Sequence, residues 1–193
     1  MRIIAGRLGG LRLTALGKGD EAAHLRPTTD RVRESLFGRL EGGRFGDPIS
    51  DAVVLDLFAG TGALGLEALS RGAKSATFVD SGRVAGKLLQ ANVDKARVGD
   101  VCRILKRDVS RIGRCDGTPA NLVFLDPPYG TGLGAKALLA TTKGGWLAED
   151  AFIVWEDASQ ATPPKGFELL EAARFGETWL NFLTLGDMEA SVS

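Results

Sequence analysis

Sulfur and imidazole are scarce in this chain of 193 residues. Cys102 and Cys115 are its only cysteines and His24 is its only histidine. Two cysteines with no Cys-x-x-Cys pair, beside one histidine, exclude a disulfide framework and a Cys/His zinc site. No metal is expected, and these three residues are read as structural. No run approaches the roughly 18 apolar residues of a membrane span. The opening MRIIAGRLGGLRL has neither the apolar stretch nor the cleavage site of a secretory signal, so the expectation is a cytoplasmic protein away from membranes. Proline is sparse at 7 residues and tyrosine is represented once, by Tyr129, whereas glycine reaches 26. With 44% hydrophobic and 25% charged residues, the composition is that of an ordered globular chain with many tight turns, long enough for one well-buried core.

Net charge is absent as well, since 24 Lys+Arg meet 24 Asp+Glu, but the balance is uneven along the chain. Residues 1–46 hold nine cations against five acids, and residues 47–193 hold fifteen against nineteen. Eight of the nine are arginines, the side chain best shaped for forked contacts with phosphate. A basic, RNA-facing extension over 1–46 on a neutral body over 47–193 is therefore expected, with Arg7, Arg26, Arg31, Arg33 and Arg39 as candidate RNA contacts. The competing reading is a solvated surface.

Apolar-containing runs at 2–5 and 11–14 around Gly9-Gly10 predict a β-hairpin, followed by a polar linker over 15–25. Thr28, Thr29 and Asp30 are capping residues ahead of a helix that places Val32, Leu36, Phe37 and Leu40 on one face and Arg31, Ser35 and Arg39 on another. From residue 52 the pattern alternates. Strands are predicted over 52–58, 75–79, 101–105 and 122–125, with helices over 63–71, 82–96 and 133–142. Runs at 152–155, 168–174 and 179–185 read as strands, the last two an antiparallel hairpin around Gly176. Such alternation predicts a doubly wound α/β sheet.

Between the first long strand and its helix lies Asp56-Leu57-Phe58-Ala59-Gly60-Thr61-Gly62-Ala63-Leu64-Gly65, a glycine-rich turn where open α/β sheets bind ligands. Gly60, Gly62 and Gly65 satisfy G-x-G-x-x-G, and Asp80 follows Gly60 by twenty residues, as the ribose-binding acid of a dinucleotide fold would. Asp56 argues against a dinucleotide, because a carboxylate beside the turn repels a pyrophosphate. S-adenosylmethionine suits it better: its amino and sulfonium groups are cationic, its ribose offers hydroxyls to Asp80, and its adenine is within the range of Asp108. Asp56, Phe58, Gly60, Gly62, Asp80 and Asp108 are the candidate cofactor contacts.

A second loop, Asp126-Pro127-Pro128-Tyr129-Gly130, ends the buried run Leu122–Leu125. Consecutive prolines fix the backbone and leave carbonyls without competing N–H donors. Asp126 and the Pro127 carbonyl can accept from one exocyclic amine while Tyr129 offers a stacking face, so residues 126–129 are the candidate catalytic residues.

Taken together, VLDLFAGTGALGLEALSRGA, LDPPY, RIIAGRLGG and RPTTDRVRESLF resemble the bacterial RsmD family over nearly the whole chain, the last segment most specifically. The resemblance implies a Rossmann-like, seven-stranded class I methyltransferase sheet with an N-terminal β-hairpin and helix extension. It also implies S-adenosylmethionine as cofactor and methylation of a guanine 2-amino group in 16S ribosomal RNA; the expected partner is that RNA, naked or within an assembling small subunit, and the expected state a monomer. Asp56, Gly60 and Gly62 match the family's cofactor loop, Asp80 the acid after the second strand, and Asp126 to Tyr129 the catalytic loop. One alternative is an N6-adenine methyltransferase acting on DNA or RNA, since the same loop serves an adenine amine. A chain of this length has no room for a separate DNA-recognition domain. Another is an RNA-binding module without chemistry, against which the intact loops argue.

Overall fold

The computed structural model describes residues 1–15 and 29–186. Arg26, His24, Thr28 and the predicted linker fall outside them, apart from Ala15 at its start. Its centre is a seven-stranded sheet built from β1 (Val53–Leu57), β2 (Ser75–Val79), β3 (Cys102–Leu105), β4 (Ala120–Leu125), β5 (Leu147–Asp157), β6 (Phe167–Phe175) and β7 (Thr178–Leu185). The spatial order is β3-β2-β1-β4-β5-β7-β6. The first five strands are parallel, whereas β7 runs antiparallel to both β5 and β6. The chain's crossovers reverse direction between β1 and β4, which opens a crevice at the carboxyl ends of those two strands.

Period-two alternation of the buried strands separates two cores. Val54, Phe78, Leu122, Phe124, Phe152 and Phe182 face one way and share a cluster with Leu36 and Phe37 of α1 (Asp30–Glu41), Leu66 and Leu69 of α2 (Ala63–Ser70), and Leu89 and Val93 of α3 (Arg83–Ala96). Ile3 and Leu13 of the N-terminal segment belong to the same cluster. Leu55, Val79, Val123, Leu125 and Ile153 face the other way, against Leu138 of α4 (Leu133–Lys143), Trp146, and Val109 and Ile112 of the β3–β4 connection. Two apolar faces with helices or loops over both explain why β1 and β4 read as nearly continuous apolar runs.

The predicted N-terminal hairpin is reduced to a ribbon. Arg2 and Arg12 form one antiparallel bridge around a single 3-10 turn over Gly6–Leu8, closed by Ile3 N–H to Leu11 O and Leu13 N–H to Met1 O. Its regularity is lost because its polar backbone is spent on α2. The Glu67 carboxylate accepts from Ile4 N–H at 2.7 Å and Ala5 N–H at 3.0 Å, and Ser70 Oγ accepts from Leu8 N–H at 2.9 Å. Gly6, at φ +76°, lies so close to α2 that a Cβ there would fall 2.0 Å from the Ser70 carbonyl oxygen. Glycine is required by both the backbone angle and the contact.

Thr29 caps α1 by accepting from Val32 N–H, as the capping residues predicted. The face of α1 differs in one respect: Arg33 joins Leu36, Phe37 and Leu40 in the core, and Val32 is only half-buried. Arg33 is fully buried, donates from Nη2 to Arg2 O and Asp30 Oδ1, and places Nη1 3.7 Å from Glu67 Oε2. Arg71 donates to the other Glu67 oxygen at 2.8 Å. One buried carboxylate thereby joins ribbon, α1 and α2. Removing one member of a buried ion pair leaves the other charge uncompensated and typically costs about 3–5 kcal/mol. Glu67→Gln should lower unfolding stability by about 3 kcal/mol on that scale, read from the urea midpoint; an unshifted midpoint would show that the carboxylate charge is not needed.

Candidate active site

Every candidate group from the glycine turn and the proline loop lies at the carboxyl edge of the sheet. Asp56 shares the face of Val54 and points under the N-terminal end of α2, where Oδ2 accepts from Gly65 N–H at 2.9 Å. It is 2% exposed, and burial pushes its carboxyl up to about 8; the nearby Asp80 charge adds to the rise and the Gly65 bond opposes it. Sequence reasoning placed Asp56 against a cationic ligand. The structure places it beneath the turn, buried against the first turn of α2 and holding the Gly65 backbone.

The turn is tightly determined. Phe58 is half-buried at φ +59°, an uncommon angle for a bulky side chain. Ala59 N–H bonds Val79 O, and Gly62 N–H returns to Ala59 O at 2.7 Å. Gly62, at φ +79°, begins α2, and a Cβ on it would meet Leu89 Cδ1 at 2.4 Å. Asp80, half-buried at the end of β2, spreads its carboxylate over two backbone groups, Oδ2 accepting from Gly60 N–H at 2.9 Å and Oδ1 from Gly82 N–H at 2.7 Å. Each oxygen of such a carboxylate retains a second lone pair. Asp108 lies farther along the edge, exposed, and accepts from Ser110 N–H and Oγ–H at 2.8 Å. Those bonds and the Arg111 charge hold its carboxyl below the usual range.

Beside β1, the proline loop leaves β4 with Asp126 N–H donating to Leu57 O at 3.4 Å. Asp126 is half-buried, Pro127 is buried and Pro128 is exposed, its carbonyl accepting from Thr131 Oγ–H at 2.6 Å. The Tyr129 hydroxyl donates to Glu156 Oε1 at 3.1 Å and lies 3.4 Å from Thr178 Oγ1. Burial chiefly, then the Glu156 and Asp126 charges, raise this phenol above its ordinary value. Sequence reasoning treated Tyr129 as a stacking face. In the fold its hydroxyl anchors the ring to β5 and β7. Glu156 and Thr178 were missed; the signal for Glu156 was a charge at the end of the apolar run Phe152–Trp155, where it is 5% exposed.

The candidate RNA contacts divide. Arg7 and Arg31 are exposed. Arg39 is 38% exposed at its side chain, and it shares Glu171 with Arg44. Arg33 is removed from the set, since its guanidinium is buried among Glu67, Asp30 and the Arg2 carbonyl and reaches no solvent. Its place on the apolar face, three residues before Leu36, was the available warning.

A sheet of order 3-2-1-4-5-7-6 with its seventh strand reversed, a glycine turn after β1 and an acid after β2 is the fold of class I S-adenosylmethionine-dependent methyltransferases. The chain belongs to the family described as conserved hypothetical protein 95, which matches residues 1–184 and includes the RsmD proteins. It is 40% identical over 156 residues to ribosomal RNA small subunit methyltransferase D of Escherichia coli (strain K12), across 81% of this chain and 74% of that protein. The solved structure of yhhF from Escherichia coli superposes with a TM-score of 0.79 at 37% identity, covering 96% of this chain and 97% of that one. An RNA methyltransferase from Salinibacter ruber in complex with S-adenosyl-L-homocysteine shares the fold, with a TM-score of 0.64 at 16% identity over 84% of this chain and 95% of that one.

A carboxyl whose folded value is raised from 3.8 to about 8 binds more protons folded than unfolded between those limits. Stability therefore falls as pH rises from about 4 to about 8 and has no such slope below. Asp56→Asn keeps an acceptor for Gly65 N–H and cannot ionise. The ligand-free variant should gain on wild type across pH 5 to 8 in thermal unfolding; parallel pH profiles would show that Asp56 is not held neutral.

Proposed function

We propose that this protein transfers the methyl group of S-adenosylmethionine to the exocyclic 2-amino group of a guanine in 16S ribosomal RNA. The observation that carries the reading is the adjacency of the glycine turn and the Asp126–Tyr129 loop at the carboxyl ends of neighbouring strands, tied by Asp126 N–H to Leu57 O. The residues fit the cofactor: a rigid glycine turn, an acid with spare acceptor capacity in Asp80, and no demand for metal ligands in either loop. In this reading the Gly60–Gly62 turn and Phe58 hold its amino-acid end, Asp80 accepts from the ribose hydroxyls, and Asp108 reaches toward the adenine. Asp56 acts from below by holding Gly65.

When bound, S-adenosylmethionine supplies an electrophilic methyl on a sulfonium with a neutral thioether as leaving group. The guanine amine is a weak nucleophile because its lone pair is delocalised into the ring. Asp126 and the Pro127 carbonyl accept its two hydrogens and turn the lone pair toward the methyl carbon. Methylation would leave the amine nitrogen positive, and Asp126 would take its surplus proton directly or through water. Most of the acceleration comes from holding two reactants in line. Tyr129, fixed at its hydroxyl by Glu156 and Thr178, presents its ring to the unstacked base. Arg7, Arg31 and Arg39 meet phosphates on the N-terminal side. The substrate is 16S ribosomal RNA, and the enzyme works as a cytoplasmic monomer.

Incubation of the protein with labelled S-adenosylmethionine and small-subunit rRNA from a strain lacking the homologous enzyme, followed by nucleoside digestion, should yield labelled N2-methylguanosine. Asp126→Ala should keep cofactor affinity within a few-fold and lose turnover by about a hundredfold or more. Label in N6-methyladenosine, or none in RNA, would overturn the reading.

A further inference from the structure

The four described cations that sequence reasoning assigned to RNA, Arg7, Arg31, Arg33 and Arg39, lie on the α1–α3 face of the sheet, and two of them are engaged: Arg33 with Glu67, and Arg39 with Glu171, which Arg44 shares. The opposite face carries a basic surface that the overall charge count conceals, because it belongs to the part of the chain with an excess of acids. The β3–β4 connection contains no helix of the α1–α4 kind. After Asp108 it runs as one 3-10 turn, Val109–Arg111, and then irregularly down the side of α4. It is fixed there by Cys115 N–H to Gly144 O at 2.8 Å, the Trp146 indole N–H to Gly113 O at 2.9 Å, and Arg107 Nη1 to Ile112 O at 2.9 Å.

Between the connection and α4 lies an open groove of about 420 Å³ lined by Ser110, Ile112, Arg114, Leu139 and Lys143. Lys136, Leu139, Ala140 and Lys143 follow one another at helical spacing on α4, and Lys136, Leu139 and Lys143 are all exposed, Leu139 at 51%. Arg111 and Arg114 are exposed on the facing segment. Residues 109–115 and 127–148 contain no acid, and the two that flank the first stretch are engaged, Asp108 by Ser110 and Asp116 by Arg103. The carbonyls of Gly113 and Gly144, which would repel an anion at this end of α4, are already taken by the indole and by Cys115 N–H.

We propose that this groove is a second phosphate-binding surface for ribosomal RNA, so that the substrate is gripped from both faces of the sheet across the catalytic edge. The inference rests on the functional reading above for the identity of the RNA. Four exposed cations, with only Asp108 beside Arg111 and the Arg103-paired Asp116 as nearby acids in the connection, suit a polyphosphate strand, and the tethers fix the backbone that carries them. The 11 residues of α4 rise about 16 Å from the catalytic loop. Arg111 and Lys136 stand nearer that loop and Arg114 and Lys143 farther from it, so a strand entering the active site can lie along the groove for several nucleotides.

The test pairs Arg114→Glu with Lys143→Glu, and separately Arg114→Ala with Lys143→Ala, in the full-length protein, using 16S rRNA in filter binding from 50 to 200 mM salt. The reversal pair should weaken RNA binding about tenfold or more at low salt, and the alanine pair should lower the slope of log affinity against log salt by about 1.5. S-adenosylhomocysteine affinity and the circular dichroism spectrum should match wild type, and the loss should appear in KM for RNA. Unchanged RNA affinity and slope in both folded pairs would overturn the proposal, an acidic protein partner being then the occupant. Binding is read independently of turnover, so a wild type that binds RNA but methylates none of it defeats the functional reading alone.

Discussion

The site depends on two carboxylates that hold a turn from below and from the side. Asp56 accepts from Gly65 N–H and Asp80 accepts from Gly60 and Gly82 N–H, so both ends of the loop between β1 and α2 are fixed by acids on neighbouring strands. Three backbone donors that would otherwise be orphaned near a helix start are thereby satisfied. Together with Ala59 N–H to Val79 O and Gly62 N–H to Ala59 O, those bonds impose the left-handed angles at Phe58 and Gly62. Asp56 is buried and Asp80 half-buried, and burial of the first is what favours its protonated form. A turn held this way is preformed, and little ordering is left for cofactor binding to supply.

The N-terminal segment is bound into that arrangement. Glu67 holds the ribbon on α2, the helix that begins at the turn. Asn92, buried on α3, accepts from Thr14 N–H at 2.7 Å and donates to both Thr14 O and Thr61 O. Thr61 is itself a residue of the turn. The basic ribbon and the cofactor loop are thus two ends of one hydrogen-bonded unit on one face of the sheet, while the proline loop, α4 and the β3–β4 connection form the other side of the crevice.

Much of this was legible in the sequence because it follows from local rules. Strand boundaries such as Ser75–Val79, the cap at Thr29 and the hairpin around Gly176 rest on short-range patterns, and the structure reproduces them. What escaped was set by contacts distant in sequence. Arg33 reads as a surface cation until Glu67, thirty-four residues away, makes a buried partner for it. The ribbon reads as a hairpin until Glu67 and Ser70 take its backbone donors. Asp56 reads as a ligand contact until α2 closes over it, and the role of the Tyr129 hydroxyl depends on β5 and β7, which no motif connects to the proline loop.

The turn is a preformed cradle, and Asp80, bonded to Gly60 and Gly82 N–H, keeps the spare lone pairs that a ribose would use. A crystal structure of the protein with S-adenosylhomocysteine tests this most directly. The ribose hydroxyls should donate to Asp80, with the Gly60 and Gly65 N–H bonds retained and the backbone of residues 56–65 unmoved. A ligand bound away from Asp80, or a turn that reorganises to free Asp56 for direct contact, would contradict it.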